Sequence, residues 1–253
     1  MAMLEVRNLM RSFGGIVAVS DLSFAVEEGE IRGLIGPNGA GKTTTFNVIS
    51  GFYAPSAGRV LFRGEDISGM PTHAIAARGL VRTFQSTTLF QELTVLDSVL
   101  AGRHLHARVD PFRALLGADR GRQAAVRDKA LEILDFFGLA ERRDELAMSL
   151  PHGLQRALGI AVAFAAEPAL LLLDEPFTGM NPEETRRMME IARRVQMHGV
   201  TILLVEHDMQ AVMGLCDRIT VLNFGTLLAE GAPDEVRRHP QVIEAYLGAA
   251  SAA

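Results

Sequence analysis

Only one cysteine, Cys216, occurs in 253 residues, so no internal disulfide can form, and no other ligand stands at metal-site spacing from it. The reducing cytosol is the expected compartment. Nor is there an excess of basic residues: 25 Lys and Arg stand against 30 Asp and Glu, a formal net charge of -5 with a pI near 5.8. That balance excludes the basic face of a general nucleic-acid binder, and no strongly acidic tail is present. The opening MAMLEVRNLM lacks the charged start, apolar middle and small-residue cleavage site of a secretory signal. Long hydrophobic runs are missing as well. The longest, residues 157–173, is interrupted by Glu167 and Pro168, and neither half reaches the roughly 20 residues that cross a bilayer. If the protein works at a membrane, another chain does the crossing.

What is present is enough apolar material, 48% of the chain, for one large domain or two closely joined lobes. Residues 4–9 and 22–26 alternate apolar with polar side chains, and 60–62 adds a short β-branched and aromatic run, together reading as an antiparallel β region. Residues 31–35, 169–173 and 200–205 are almost wholly apolar, as parallel strands covered on both faces must be. Between them, 87–158 offers few strand-like segments, and 128–139 sets Leu131, Leu134 and Phe137 on one helical face. The expected organisation is an α/β core formed by 1–86 and 159–253, with a helical lobe of 87–158 inserted. Asn181, Pro182, Glu183 and Glu184 combine a cap, a proline suited to the first turn and two acids beside the positive dipole end, and Gly199 is a fitting stop.

The run Gly36, Pro37, Asn38, Gly39, Ala40, Gly41, Lys42, Thr43, Thr44 fits GxxxxGK[ST] and falls after an apolar strand and before a helix-compatible stretch. Its glycines let the backbone curl until N–H groups face phosphate oxygens. Lys42 would reach the β and γ phosphates and Thr43 would offer its hydroxyl to Mg²⁺, so ATP and Mg²⁺ are the expected cofactors. A second run, Leu170 to Leu173, delivers Asp174 and Glu175 to the end of a buried strand. Asp174 suits the Mg²⁺ shell, and Glu175 suits polarisation of the attacking water.

With these motifs in this order the chain resembles the ABC ATPases over nearly its whole length, which implies a P-loop NTPase fold: a RecA-like core, an antiparallel β subdomain and an inserted helical subdomain. Phe13 matches the aromatic that stacks on adenine. Gln85, in Arg82-Thr-Phe-Gln85, is similar to the glutamine that links Mg²⁺ and water to the membrane subunit. Leu150, Pro151, His152, Gly153, Leu154 and Gln155 resemble the signature loop that acts across a dimer. Asn181 matches the dimer-contact loop and His207 the switch histidine, an imidazole able to hydrogen-bond the γ phosphate. Taken singly, such a phenylalanine is core material, such a glutamine surface, and such a histidine structural; their order gives them meaning. The signature departs from LSGGQ, with Pro151 for serine, His152 for the first glycine and Leu154 for glutamine. Proline suits a first helical turn, whose amides have no partner inside the helix.

Finer features resemble the ATP-binding subunits of branched-chain amino acid importers: Phe13-Gly-Gly15, Leu89-Phe90, the proline-bearing signature, Met180-Asn-Pro-Glu183, Glu206-His-Asp-Met209 and Ala245-Tyr-Leu-Gly248. Lipopolysaccharide-export ATPases share several of these. The resemblance implies a head-to-tail dimer with an identical or paralogous ATPase, integral-membrane permease subunits, an extracytoplasmic binding protein, and a place on the cytoplasmic face of the cell membrane. The stretch 103–129, with seven Lys or Arg against three Asp, reads as a solvated face or as one lying near anionic lipid or permease loops. A small-molecule phosphotransferase on the same phosphate loop is the rival reading; it would need an acceptor pocket and a lid, which no segment suggests.

Overall fold

The computed structural model describes residues 2–83, 92–103 and 120–250. They form two compact units, Met1–Arg82 with Ala169–Ala253, and Thr83–Pro168. The first opens with β1 (Ala2–Phe13), β2 (Ile16–Glu27), β3 (Ile31–Ile35), α1 (Lys42–Ile49), β4 (Ala57–Phe62), β5 (Glu65–Asp66), α2 (Thr72–Ala76) and β6 (Leu80–Arg82). The second contributes α3 (Val95–Gly102), α4 (Arg120–Phe136) and α5 (His152–Phe164). The first then resumes with β7 (Leu170–Asp174), α6 (Pro182–Met197), β8 (Thr201–Val205), α7 (Met209–Leu215), β9 (Arg218–Asn223), β10 (Thr226–Gly231), α8 (Pro233–Arg238) and α9 (Pro240–Ala250).

In the first unit an antiparallel sheet of order β2-β1-β4-β5 follows from alternation along β1. Leu4, Val6 and Leu9 are buried and meet Phe24, Val60 and Phe62, while Arg7 and Asn8 face out. The larger sheet has the order β10-β9-β3-β8-β7-β6. Its β9, β3, β8, β7 and β6 are parallel, and β10 closes one edge antiparallel to β9. Every residue of β3, β7 and β8 is buried, because the sheet has no solvent side; Leu34, Leu172 and Leu203 share a core with Leu4, Leu9 and Leu22 of the antiparallel sheet.

In the second unit α3 packs on both α4 and α5. Leu134 and Phe137 are buried and Leu131 half-buried, and Phe136 stacks on Phe164 at 5.5 Å between ring centroids. The unit reaches Pro168 rather than stopping at 158, since a break at 158 would cut α5 in mid-helix and sever the face packed on α3. Within 103–129, Arg127 and Lys129 are exposed, but Arg103 is buried and bonds Glu167 at 3.0 Å. Residues 104–119 lie outside the described residues, as do Leu89 and Phe90.

Leu172 sits at the middle of β7 with no exposed surface. Leu172→Ala should cost about 2–5 kcal/mol, the lost transfer energy plus the cavity, read as a fall in the urea midpoint; a midpoint unchanged within error would contradict this placement of the core.

Candidate functional site

The phosphate loop leaves β3 at Gly36, whose φ is 152°. A Cβ there would lie 2.2 Å from the Leu222 carbonyl oxygen and 2.9 Å from Ala40 Cβ, so only glycine fits. Gly41, at φ 97°, precedes α1, and a Cβ on it would come 2.6 Å from the Ala18 carbonyl oxygen. The loop is braced from behind: Gly225 N–H donates to the Ala40 carbonyl at 3.1 Å, and Ser20 N–H donates to the Gly225 carbonyl at 2.8 Å. Pro37 is half-buried and Asn38 and Gly39 are exposed, leaving the tip of the loop open to a ligand.

Lys42 folds back over this loop, its Nζ donating to the carbonyls of Gly36 at 2.7 Å and Pro37 at 3.0 Å. Burial lowers its pKa, against the opposing pull of the Glu175 carboxylate. Thr43 is exposed at the start of α1 and Thr44 is half-buried. The Tyr246 hydroxyl from α9 is sealed from water, and burial pushes its pKa up to about 12.

β7 and β8 end beside each other. Asp174 is buried at the end of β7, and Arg82, the last residue of β6, donates to its Oδ2 at 2.6 Å. Arg82 also donates to Asn47 Oδ1 on α1 at 2.7 Å and to Ser50 Oγ, at the cap of that helix, at 3.1 Å, so one guanidinium ties the strand, the acid and the helix of the phosphate loop together. Glu175 adopts a left-handed φ of 48°, its N–H held by the Val205 carbonyl at 2.9 Å. Glu206 is buried at the end of β8 and accepts from the backbone N–H groups of Phe177 at 2.7 Å, His207 at 2.8 Å and Asp208 at 3.3 Å. The His207 side chain is 60% exposed, with Nδ1 3.6 Å from Glu206 Oε2. Asn181 caps α6 in a capping box with Glu184. Phe13 is 37% exposed and meets Tyr53 edge-on at 5.2 Å.

In the second unit α5 begins at His152, so Pro151 stands just outside the helix as its cap residue rather than within the first turn. Leu150 is buried, Pro151 and His152 are exposed, and Gly153 and Leu154 are half-buried. The Gln155 amide turns back to donate to the carbonyls of Leu150 at 2.8 Å and Met148 at 3.1 Å, fixing the loop from inside the helix. Gln85 lies outside the described residues.

The donor chemistry fits Mg²⁺. The Thr43 hydroxyl and the Asp174 carboxylate offer hard oxygen donors of the kind this ion takes. A few protein oxygens plus phosphate and water is the shell Mg²⁺ prefers. In the sequence Glu206 and Tyr246 figure only as members of family-like motifs, with no role of their own, and Arg82 only as a neighbour of Gln85. A charged residue ending the apolar run 200–205 was the available signal for Glu206; for the other two the contacts are long-range.

An ABC transporter family model matches residues 19–178, and a model of the branched-chain amino acid ATP-binding cassette transporter C-terminal region matches 226–252. The chain is 46% identical over 251 residues to the high-affinity branched-chain amino acid transport ATP-binding protein LivG of Salmonella typhimurium, covering 98% of each. It is 34% identical over 248 residues to the lipopolysaccharide export system ATP-binding protein LptB of Haemophilus influenzae, again covering 98% of each. Among solved structures it is similar to a nucleotide-free ATP-binding cassette from an ABC transporter, with a TM-score of 0.86, 30% identity, and 97% and 99% of the two chains covered.

Glu206→Ala removes the acceptor of three amides at the ends of two strands. It should destabilise the protein by about 2–4 kcal/mol, since buried donors left unmade cost about 1–3 kcal/mol each and some recover water. Chemical denaturation checks this, and a loss within 0.5 kcal/mol would show that Glu206 does not hold these loops.

Proposed function

The chain belongs to the ABC transporter family of ATP-binding subunits, and on that premise we propose that it hydrolyses ATP to power uptake of branched-chain or similar amino acids through separate permease subunits. ATP hydrolysis is the activity of this family, and membrane permeases are the partners such a subunit serves. The observation that carries the cargo is the higher identity to the amino-acid transport relative than to the lipopolysaccharide one, 46% against 34% over equal coverage, joined by the match of residues 226–252. No helix of the described residues is long and apolar enough to cross a membrane; the chain is proposed to sit peripherally on the cytoplasmic face.

In the proposed mechanism backbone N–H groups of residues 38–44 cradle the phosphates, helped by the positive end of α1. Lys42 exchanges its bonds to the Gly36 and Pro37 carbonyls for the β and γ phosphate oxygens, recovering in the ligand the charge that burial disfavours. Thr43 and Asp174 would hold Mg²⁺, with Gln85 completing the set on the basis of resemblance. When bound, that ion neutralises charge developing on the phosphates. Glu175, next to Asp174 and pinned by Val205, polarises the attacking water. His207, exposed and backed by Glu206, donates to the γ phosphate, and Phe13 stacks on adenine. Leu150, Pro151, His152, Gly153, Leu154 and Gln155 face the nucleotide of a second, identical or paralogous subunit in a head-to-tail dimer contacted through Asn181. In this dimer Gly153 and the start of α5 offer N–H groups where the usual serine hydroxyl is lacking. An extracytoplasmic binding protein delivers the cargo to the permease.

Glu175→Gln should retain ATP affinity while turnover falls at least about 100-fold, within the range for loss of a general base, whereas Lys42→Ala should weaken binding itself. Equilibrium nucleotide binding and steady-state hydrolysis separate the two, and near-normal turnover by Glu175→Gln would remove that residue from its role.

In the reconstituted transporter, ATPase activity should rise with binding protein loaded with leucine, isoleucine or valine, because the cargo signal must reach the ATP site through the permease. Stimulation by lipopolysaccharide-type lipid and by no amino acid would overturn the cargo while leaving the motor intact.

A further inference from the structure

Arg11 lies near the end of β1, two residues before Phe13, so the two side chains leave the strand on the same face. Its guanidinium carbon sits 4.4 Å from the centre of the Phe13 ring and 5.2 Å from that of Tyr53. Its Nη1 donates to the Ala54 carbonyl at 2.9 Å, and its Nε is shut off from water with no hydrogen-bond partner. Tyr53 in turn meets Phe13 and Phe52 edge-on, at 5.2 and 5.4 Å. The strand is pinned to the 54–56 segment independently, by Ser56 N–H on the Met10 carbonyl at 2.7 Å and Ser12 N–H on Ser56 Oγ at 3.1 Å. The cation is therefore not the sole tie between the strand end and this segment. Part of its donor capacity is spent on aromatic faces instead of oxygen.

We propose that Arg11 is a positioning residue for the nucleobase: its guanidinium covers one face of Phe13 and holds the ring still, so that the uncovered side is a preorganised platform for adenine. This rests on the reading of Phe13 as the base-stacking residue. A ring left 37% exposed at a strand end would otherwise sample several rotamers, and freezing one on binding costs affinity. A cation held against the ring removes that cost before the base arrives, at the strength of a partly desolvated cation–aromatic contact. Arg11 touches neither phosphate nor the reacting atoms in this arrangement, so its influence should be confined to the base.

The test compares ATP with inorganic tripolyphosphate, which carries the phosphates and no base, as ligands of the full chain measured by calorimetry. Arg11→Met, which keeps the apolar stem, should weaken ATP binding about three- to tenfold, the size of one such contact, and leave tripolyphosphate binding unchanged. Arg11→Lys, which keeps a charge over the ring, should recover part of the ATP affinity. In a Phe13→Ala background the Arg11→Met effect should vanish, since the cation then has no platform to hold. The inference is overturned by equal weakening of ATP and tripolyphosphate, by unchanged ATP affinity in Arg11→Met, or by an undiminished Arg11 effect without Phe13. If Phe13→Ala alone leaves ATP affinity intact, the base-stacking reading of Phe13 has failed first, and the role of Arg11 falls with it.

Discussion

The contact that the site depends on is the approach of the Gly36 backbone to the Leu222 carbonyl at the end of β9. Only a residue without a Cβ can stand there, and this seats the phosphate loop against the C-terminal ends of the central parallel strands. From the C-terminal ends of neighbouring β7 and β8 come Asp174 and Glu175 on one side and Glu206 and His207 on the other. In a parallel sheet all C-terminal ends fall on one side, so residues far apart in sequence arrive together. The turn after β9 then returns to brace the loop through Gly225 and Ala40.

Much of this was legible beforehand because it depends on local sequence. The phosphate loop is a contiguous motif whose residue types follow from backbone curvature. The buried parallel strands announced themselves as unbroken apolar runs, and α6 through its cap, proline and paired acids. Each signal lies within a dozen residues and reflects physics local to its own segment.

What was not legible depends on distance or on competition. Arg82 bridges to Asp174, 92 positions away, and no spacing rule identifies such a partner. Arg103 sits in a stretch that reads as solvated by composition, yet pairs with Glu167 and is buried. The extent of the helical unit was missed because the periodicity of α5 runs through the point where the apolar core segment was taken to resume. Pro151 was expected inside the first turn; its extended ψ of 149° places it just before the helix, and Gln155 takes over the work of fixing the loop.

Glu175 shows a different kind of constraint. It holds a left-handed backbone conformation that an L-residue with a long side chain adopts only at a cost of about 1–2 kcal/mol. Glycine would occupy that place without strain, so stability by itself would favour losing the carboxylate. Among the described residues five other non-glycines, Glu167 and Phe224 included, adopt positive φ, so the strain alone does not mark function; at Glu175 it coincides with the proposed chemistry, and the bond to the Val205 carbonyl holds the conformation. A lineage released from the need to hydrolyse ATP would be expected to relax here early, and a cassette that kept its fold but lost its motor function would show the change at this residue before its core altered.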